Sequence, residues 1–501
     1  MNTPLRRVGL AMLAMIVLLL ANATYIQIVK ADEYRDDPRN RRVLLEEYSR
    51  QRGKILTADK QIIANVKETN GRLQYQRTYA NGPMYAPITG FYSVRYGATG
   101  LEASENEILN GSDDRLFVRR LSDLITGRDP RGGNIVTTIN SKVQQAAYDS
   151  MTANDFTGAV VAIKPDDGQI LAMVSTPSFD PSGLASPDGD VQQQTFDQYK
   201  DANNPAKPML NRAISNNYTP GSTFKLVTAA TALADGKDKN SPVTQSPGIN
   251  VINGDTNCDT DEPTCLANYS RGNCGDGTLQ GALAKSCNTA FAQLADEVGE
   301  EKLRDQATKF GIGQTDLEIP LPVVQSCIGP QDPLSQCMTI EGRSALFQSG
   351  IGQKDVRLTA LENCSIAATI ANGGSRMRPQ LVQKVLAPDL DEISGYDPDE
   401  VDQAMSSGNA DELRDMMIES EKNTSGPGKR GDLTIASKTG TAETGLDPKN
   451  SPPFAWYVAF APADNPQIAV AVVVESRDVA ATGGKLAAGV GRATINALVG
   501  G

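Results

Sequence analysis

Pro220-Gly221-Ser222-Thr223-Phe224-Lys225, running on into Leu226-Val227-Thr228-Ala229-Ala230-Thr231-Ala232-Leu233, reads as a turn that opens an apolar helix. Pro-Gly marks the turn, and Ser222 stands where it caps or begins the helix. Positions i and i+3 share a helix face, so Ser222 and Lys225 stand side by side at the mouth of a core element. Burial strips water from an amine and lowers its pKa. A neutral amine beside a hydroxyl is a general base beside a nucleophile. The free N–H groups of a helix start can receive a developing oxyanion.

Two further patterns follow in order, Ser286-Cys287-Asn288 and Lys438-Thr439-Gly440. Ser-x-x-Lys and Lys-[Ser/Thr]-Gly each occur once, whereas Ser-x-Asn recurs, at Ser215, Ser286 and Ser407 among other positions. Ser215 precedes the nucleophile, and Ser407-Gly408-Asn409 reads as loop. Ser286 opens Thr289-Ala290-Phe291-Ala292-Gln293-Leu294-Ala295, a buried-helix pattern, and so is chosen. Taken singly, Ser222 and Ser286 read as helix caps and the two lysines as solvated charges. Their order, together with the count of zero histidines, reads as a site. Without histidine a Ser-His-Asp or Cys-His hydrolase is excluded, as is any His-ligated metal, so lysine must accept the proton.

Around the third pattern, residues 435–443, 455–460 and 468–474 form three strand-like runs, an antiparallel meander. An edge strand carrying Lys438, Thr439 and Thr441 offers a cation, hydroxyls and backbone N–H groups to an extended peptide. Earlier, Gly158–Ile163 and Gln169–Val174 flank Lys164-Pro165-Asp166-Asp167-Gly168 as a β-hairpin, Ser141–Ala147 reads as helix, and Ala487–Val499 as a closing helix on the sheet. Two strands early, helices between and three strands late predict one mixed sheet whose halves meet across a helical subdomain.

The remaining chain bounds the setting. A length of 501 residues exceeds one ordinary domain, and a net charge of −12 argues against a nucleic-acid partner. Arg6 and Arg7 precede an apolar stretch over 8–29, the length of one transmembrane helix, with a cytoplasmic tail over 1–7 and everything after it outside. Ala21-Asn22-Ala23 also fits a signal-peptide cleavage site, but apolarity continues through Val29, which favours an anchor. Residues 30–135 read as a mainly β pedestal, ending in the Gly127–Gly133 linker, and 136–501 as the catalytic domain. Seven cysteines in an exported chain permit disulfides. Cys327 and Cys337 can close a small loop, and two of Cys258, Cys265 and Cys274 can pair. Cys287 reads as a packed thiol and Cys364 as core; no Cys-x-x-Cys suggests zinc.

Tyr218-Thr219-Pro220-Gly221-Ser222-Thr223-Phe224-Lys225 after Asn211-Arg212-Ala213, Lys438-Thr439-Gly440-Thr441-Ala442-Glu443, and Arg52-Gly53-Lys54-Ile55 together resemble the class B (monofunctional) penicillin-binding proteins. Asp37-Pro38-Arg39-Asn40, Lys285–Thr289 and Gly350–Val356 resemble the actinobacterial PbpA type, and Asp59-Lys60-Gln61 departs from the usual pedestal pattern. The resemblance implies an α/β mixed fold: an antiparallel transpeptidase sheet with flanking helices and an all-α subdomain, after a pedestal and one membrane helix. It implies a D,D-transpeptidase acting on peptidoglycan stem peptides and a lipid-linked precursor, without cofactor. Ser222 would be the nucleophile, Lys225 the base, Ser286 the proton relay and Lys438 its polarising cation. Asn288 would bind the substrate amide, and Thr439, Gly440 and Thr441 its carboxylate end. The N–H groups of Ser222 and Thr441 would form the oxyanion hole. It further implies inhibition by β-lactams, the plasma membrane as location, and a glycan polymerase and other division or elongation proteins as partners. A D,D-carboxypeptidase, a serine β-lactamase and a non-catalytic scaffold are the alternatives. No Glu-x-x-Leu-Asn deacylating segment lies between Ser222 and Lys438.

Overall fold

The computed structural model describes residues 2–30, 48, 50–70, 73–116, 131–256, 258–315, 319–331, 337–445 and 450–500. Asp37–Asn40 and the first part of the Gly127–Gly133 linker lie outside them. The first helix, α1 (Asn2–Ile28), is long and apolar enough over Arg6–Ile28 to cross a membrane, and that stretch is exposed. Twenty-three residues of helix extend about 35 Å, against a hydrocarbon core of about 30 Å.

The pedestal brings β1 (Ile55–Leu56), β2 (Ile62–Glu68), β3 (Tyr75–Tyr79) and α2 (Gly82–Thr89). Then come β4 (Asn134–Thr137), α3 (Ser141–Ala153) and the hairpin β5 (Thr157–Ile163) and β6 (Ile170–Thr176). A 3₁₀ turn, Gly221–Phe224, leads into α4 (Lys225–Ala234). The middle of the chain forms the hairpin β7 (Gly248–Asn250) and β8 (Cys265–Ala267), then α5 (Leu279–Lys285), α6 (Asn288–Lys309), α7 (Arg343–Gly350) and α8 (Ala360–Ala371). After β9 (Val382–Leu386), β10 (Glu392–Gly395) and α9 (Ser407–Asn423) come β11 (Ala436–Ala442), β12 (Phe454–Ala461), β13 (Ile468–Glu475) and α10 (Gly483–Val499).

The catalytic-domain sheet runs β11-β12-β13-β5-β6, with the late meander joined to the early hairpin through β13 and β5. Every pair in it is antiparallel, as the family resemblance implies, which corrects the mixed sheet expected from the order of strands and helices alone. Strand direction is set by the long-range return of the chain, which no local pattern encodes. Helix α8 covers one face and α3 with α10 the other. Burial on both faces explains why Ile468–Val474 is apolar at every position rather than at alternate ones. Trp456, Phe460 and Val458 on β12 are fully buried.

The parallel pairing lies in the second sheet, ordered β10-β9-β4-β1-β2-β3, where β1 runs beside β4. Strands β9 and β10 arrive from beyond residue 380 to complete a sheet begun in the pedestal. Beneath it Glu102 is buried between Arg52 (2.7 Å) and Arg77 (2.5 Å).

The cysteines pair as Cys258–Cys265, Cys274–Cys287 and Cys327–Cys337, with Cys364 free and buried. The reading of Cys287 as a packed thiol is therefore corrected. Cys274, thirteen residues earlier, lies beside it once α5 turns back. Ser407-Gly408-Asn409 is also not loop. It opens α9, with Ser406 accepting from Asn409 N as the N-cap.

Candidate active site

Ser222 sits in the 3₁₀ turn rather than in the α-helix proper. With three residues per turn, side chains at i and i+3 eclipse, so Ser222 and Lys225 still share an edge. The turn is held from several sides. Trp456 Nε1 donates to Thr219 O (3.0 Å), Thr223 Oγ1 donates to Pro220 O (3.0 Å), and Asn363 Nδ2 donates to Thr223 Oγ1 (3.0 Å). Tyr218 meets the Phe454 and Trp456 rings edge-on. Ser222 is half-buried, and its hydroxyl makes no hydrogen bond to the described residues.

The turn abuts the sheet edge backbone to backbone. A Cβ on Gly440 would come 2.6 Å from Pro220 O, and one on Gly221, whose φ is +54°, would come 2.7 Å from Thr441 O. Neither approach tolerates a side chain, which is the physical reason for glycine at both motif positions. It also brings the Ser222 and Thr441 backbones, the predicted oxyanion donors, together. Thr439 and Thr441 lie half-buried on edge strand β11.

The two lysines converge on the second motif. Lys225 Nζ lies 2.8 Å from both Ser286 O and Asn288 Oδ1, and 3.3 Å from Ser286 Oγ. Lys438 Nζ lies 2.9 Å from the same Ser286 Oγ and 3.0 Å from Thr439 O. Ser286 reaches this point through a left-handed conformation, φ +61°, at the corner between α5 and α6. Both lysines are fully buried, and no carboxylate among the described residues is within ion-pair distance of either. Burial, with the Lys438 charge adding to it, holds Lys225 well below the usual lysine range. Burial brings Lys438 down to about 7. A lysine that sheds its proton near neutrality is what a base for serine requires.

Of the predicted residues, Ser222, Lys225, Ser286, Asn288, Lys438, Thr439, Gly440 and Thr441 all lie around this junction. Ser215 is exposed and Ser407 is on a helix elsewhere. Sequence reading missed Asn363, although an asparagine inside the otherwise apolar Ala360–Ala371 helix was a signal. It also missed Asn268, whose side chain caps the helix bearing Asn288 and which sits in an Asn/Asp/Gly-rich stretch without a distinguishing pattern. No His/Cys/Asp/Glu group able to hold a metal occurs among the described residues.

Residues 158–496 match the penicillin binding protein transpeptidase domain, and 52–135 match the penicillin binding protein A dimerisation domain. The chain belongs to the penicillin-binding proteins. Within that family it is 50% identical to the peptidoglycan D,D-transpeptidase PbpA of Mycolicibacterium smegmatis, over 100% of this chain and 99% of that protein. It is 49% identical to the PbpA of Mycobacterium tuberculosis H37Rv at the same coverage. The ceftriaxone acyl-enzyme of penicillin-binding protein A from M. tuberculosis superposes with a TM-score of 0.84 at 48% identity, covering 90% of this chain and 99% of that one. The penicillin G acyl-enzyme of that protein superposes with a TM-score of 0.83.

Proposed function

We propose that this chain is a peptidoglycan D,D-transpeptidase of the class B, PbpA type, working through a serine acyl-enzyme that β-lactams also form. The observation that carries it is the convergence of two buried, carboxylate-free lysines on Ser286, beside the turn bearing Ser222.

Neutral Lys225 takes the Ser222 hydroxyl proton as Oγ attacks the carbonyl of the penultimate D-Ala of a stem peptide. The Ser222 and Thr441 N–H groups hold the oxyanion of the tetrahedral intermediate. Ser286, between the two amines, passes the proton to the leaving nitrogen, and Lys438 polarises it. The C–N bond breaks, terminal D-Ala leaves, and Ser222 carries an ester. Asn288 binds the substrate amide, and Thr439, Gly440 and Thr441 receive its carboxylate end. An amine from a neighbouring stem peptide then attacks the ester, and the proton path runs in reverse. The product is a cross-link, and water in place of the amine would give hydrolysis.

The finer setting belongs to the same reading. Helix α1 is the single membrane pass, and three disulfides suit an oxidising compartment outside the cytoplasm. Residues 30–135 serve as pedestal and 136–501 as the transpeptidase domain. A lipid-linked glycan polymerase and division or elongation proteins are the partners, with the lipid-linked precursor as glycan source.

Intact-mass analysis with a fluorescent penicillin tests the nucleophile. The parent should gain one stable adduct and Ser222→Ala none. Unchanged labelling of the variant sinks the assignment, and rapid drug turnover by the parent points to a β-lactamase. Lipid-linked peptidoglycan with and without an amine acceptor separates cross-linking from hydrolysis.

A further inference from the structure

The helix that begins with Asn288 has an unusual start. Its first N–H groups need acceptors, yet the N-cap residue is Cys287, whose sulfur is committed to Cys274 and which makes no capping bond. The acceptor comes from another segment. Asn268, just past β8 and 3% exposed, accepts through Oδ1 from Asn288 N (2.9 Å), Thr289 N (3.2 Å) and Thr289 Oγ1 (3.2 Å). Its Nδ2 donates to Ser246 O (2.8 Å) and Gly272 O (3.2 Å), and its own N–H donates to Pro247 O (3.0 Å). The amide is thus held on both sides. The preceding residue, Ala267, accepts from Asn288 Nδ2 through its carbonyl (3.0 Å).

Residues 267 and 268 therefore grip Asn288 by main chain and side chain at once. Because the amide is planar, fixing Nδ2 also fixes Oδ1, which meets Lys225 Nζ at 2.8 Å. The second close acceptor of Lys225, Ser286 O, lies on the same corner. No other side chain among the described residues caps that helix start.

We propose that Asn268 is a positioning residue for acylation: by capping the Asn288 helix from outside, it fixes the acceptors that orient the Lys225 amine toward Ser222. This rests on the reading of Ser222 as nucleophile and Lys225 as base. Asn268 touches neither substrate nor the reacting atoms. It acts through Asn288, and the preceding backbone carbonyl is its accomplice.

The test uses the full chain in detergent and measures second-order acylation by fluorescent penicillin from pH 6 to 10, with melting temperature alongside. Asn268→Ala should acylate about tenfold slower at the alkaline plateau, since misorienting a base costs part of its general-base contribution. Asn268→Asp keeps the acceptor for the helix start, where a carboxylate is favoured, but loses both donated bonds. It should melt as low as Asn268→Ala or lower, yet acylate within about threefold of the parent at the plateau. Its rising limb should also move to higher pH, because a carboxylate near Lys225 favours the ammonium form. A purely structural role predicts instead that rate follows melting temperature in both variants, and that result overturns the proposal. Parent-like acylation by Asn268→Ala overturns it too. Where Asn268→Ala does not fold, the plateau and limb of Asn268→Asp decide alone. If the parent gains no adduct at Ser222, the underlying reading falls and takes the proposal with it, so the two failures are told apart.

Discussion

In the pedestal, Glu102 is shared by Arg52 and Arg77, and Arg52 also lies 4.0 Å over the Tyr92 ring. At the site, Lys225 and Lys438 are as deeply buried, but their hydrogen-bond partners are a hydroxyl, an amide and carbonyl oxygens, with the Phe291 ring 5.6 Å from Lys225 Nζ. The consequences are opposite. Burial pushes the Glu102 carboxyl up, but the charges of Arg77 and Arg52 outweigh it and hold the group below the usual range. The lysines have no such counterion, so burial wins and they are driven toward neutrality. A fold that pairs its buried cations in one place and leaves them unpaired in another has put strain where a base is needed.

The sharpest way to break that contrast is to give the site a cation that cannot lose its charge. Lys225→Arg keeps a positive side chain whose pKa stays above about 12. Removing a general base costs about 10²–10⁴ in rate, and penicillin acylation of this variant should fall in that range while the pedestal is untouched. Acylation within tenfold of the parent would mean that Lys225 is not the base.

The reverse operation belongs in the pedestal. Glu102→Gln leaves two buried guanidinium groups without their shared counterion, and breaking such a pair costs about 3–5 kcal/mol. Urea unfolding should show this loss, while acylation by the folded fraction stays at the parent rate. A large fall in acylation without loss of stability would show that the two regions are coupled rather than merely contrasted.

These differences explain how far the sequence could be read. The trio was legible because its chemistry is carried by short spacings: Ser222 to Lys225, Ser286 to Asn288, and Lys438 to Gly440. The meander and the early hairpin were legible because they are local. The return of β9 and β10 to the pedestal sheet and the bond between Cys274 and Cys287 were not, and the antiparallel closure of the main sheet was legible only through the family resemblance. Each joins segments whose partners are chosen by the folded chain. Asn268 and Glu421 escaped for the same reason: an asparagine among turn residues and a glutamate near a helix end carry no mark of what they touch.

The contrast also predicts pH signatures in two separate windows, with stability rising with pH in each. Glu102 has a folded pKa below its ordinary value near 4.5, so its stabilisation is present above that value and is lost as pH falls through the folded one. Lys438 titrates at about 7 when folded against 10.5 when unfolded. Between those values the unfolded chain holds a proton that the folded chain has shed, so stability from this group rises with pH across the window. Lys438→Met should flatten the stability slope between about pH 7 and 10 and leave the acid limb alone, whereas Glu102→Gln should do the converse. Unfolding midpoints across pH measure both, and a slope unchanged in Lys438→Met would show that the amine is solvated.

The smallest effect is expected directly behind Lys438, where the paired style of the pedestal reappears. Glu421 is buried and accepts from Arg492 Nε (2.8 Å), from Ser437 Oγ and from Tyr457 OH (3.2 Å). Arg492 in turn donates to the carbonyls of Ser425, Gly426 and Pro427. Ser437 and Lys438 are neighbours on one strand, and successive strand side chains point to opposite faces. The paired network therefore lies on the far side of β11 from the unpaired amine. Tyr457→Phe removes the longest of the three bonds and leaves Glu421 with two donors, at a cost of about 1 kcal/mol. The rising limb of the acylation profile, which reports Lys225, should not move, because Lys225 is lowered by burial and by the Lys438 charge, and Lys438 by burial, none of which the substitution alters. A limb displaced in Tyr457→Phe would mean that charge on the far face reaches Lys438 through the strand, and that the two faces of β11 form a single electrostatic unit.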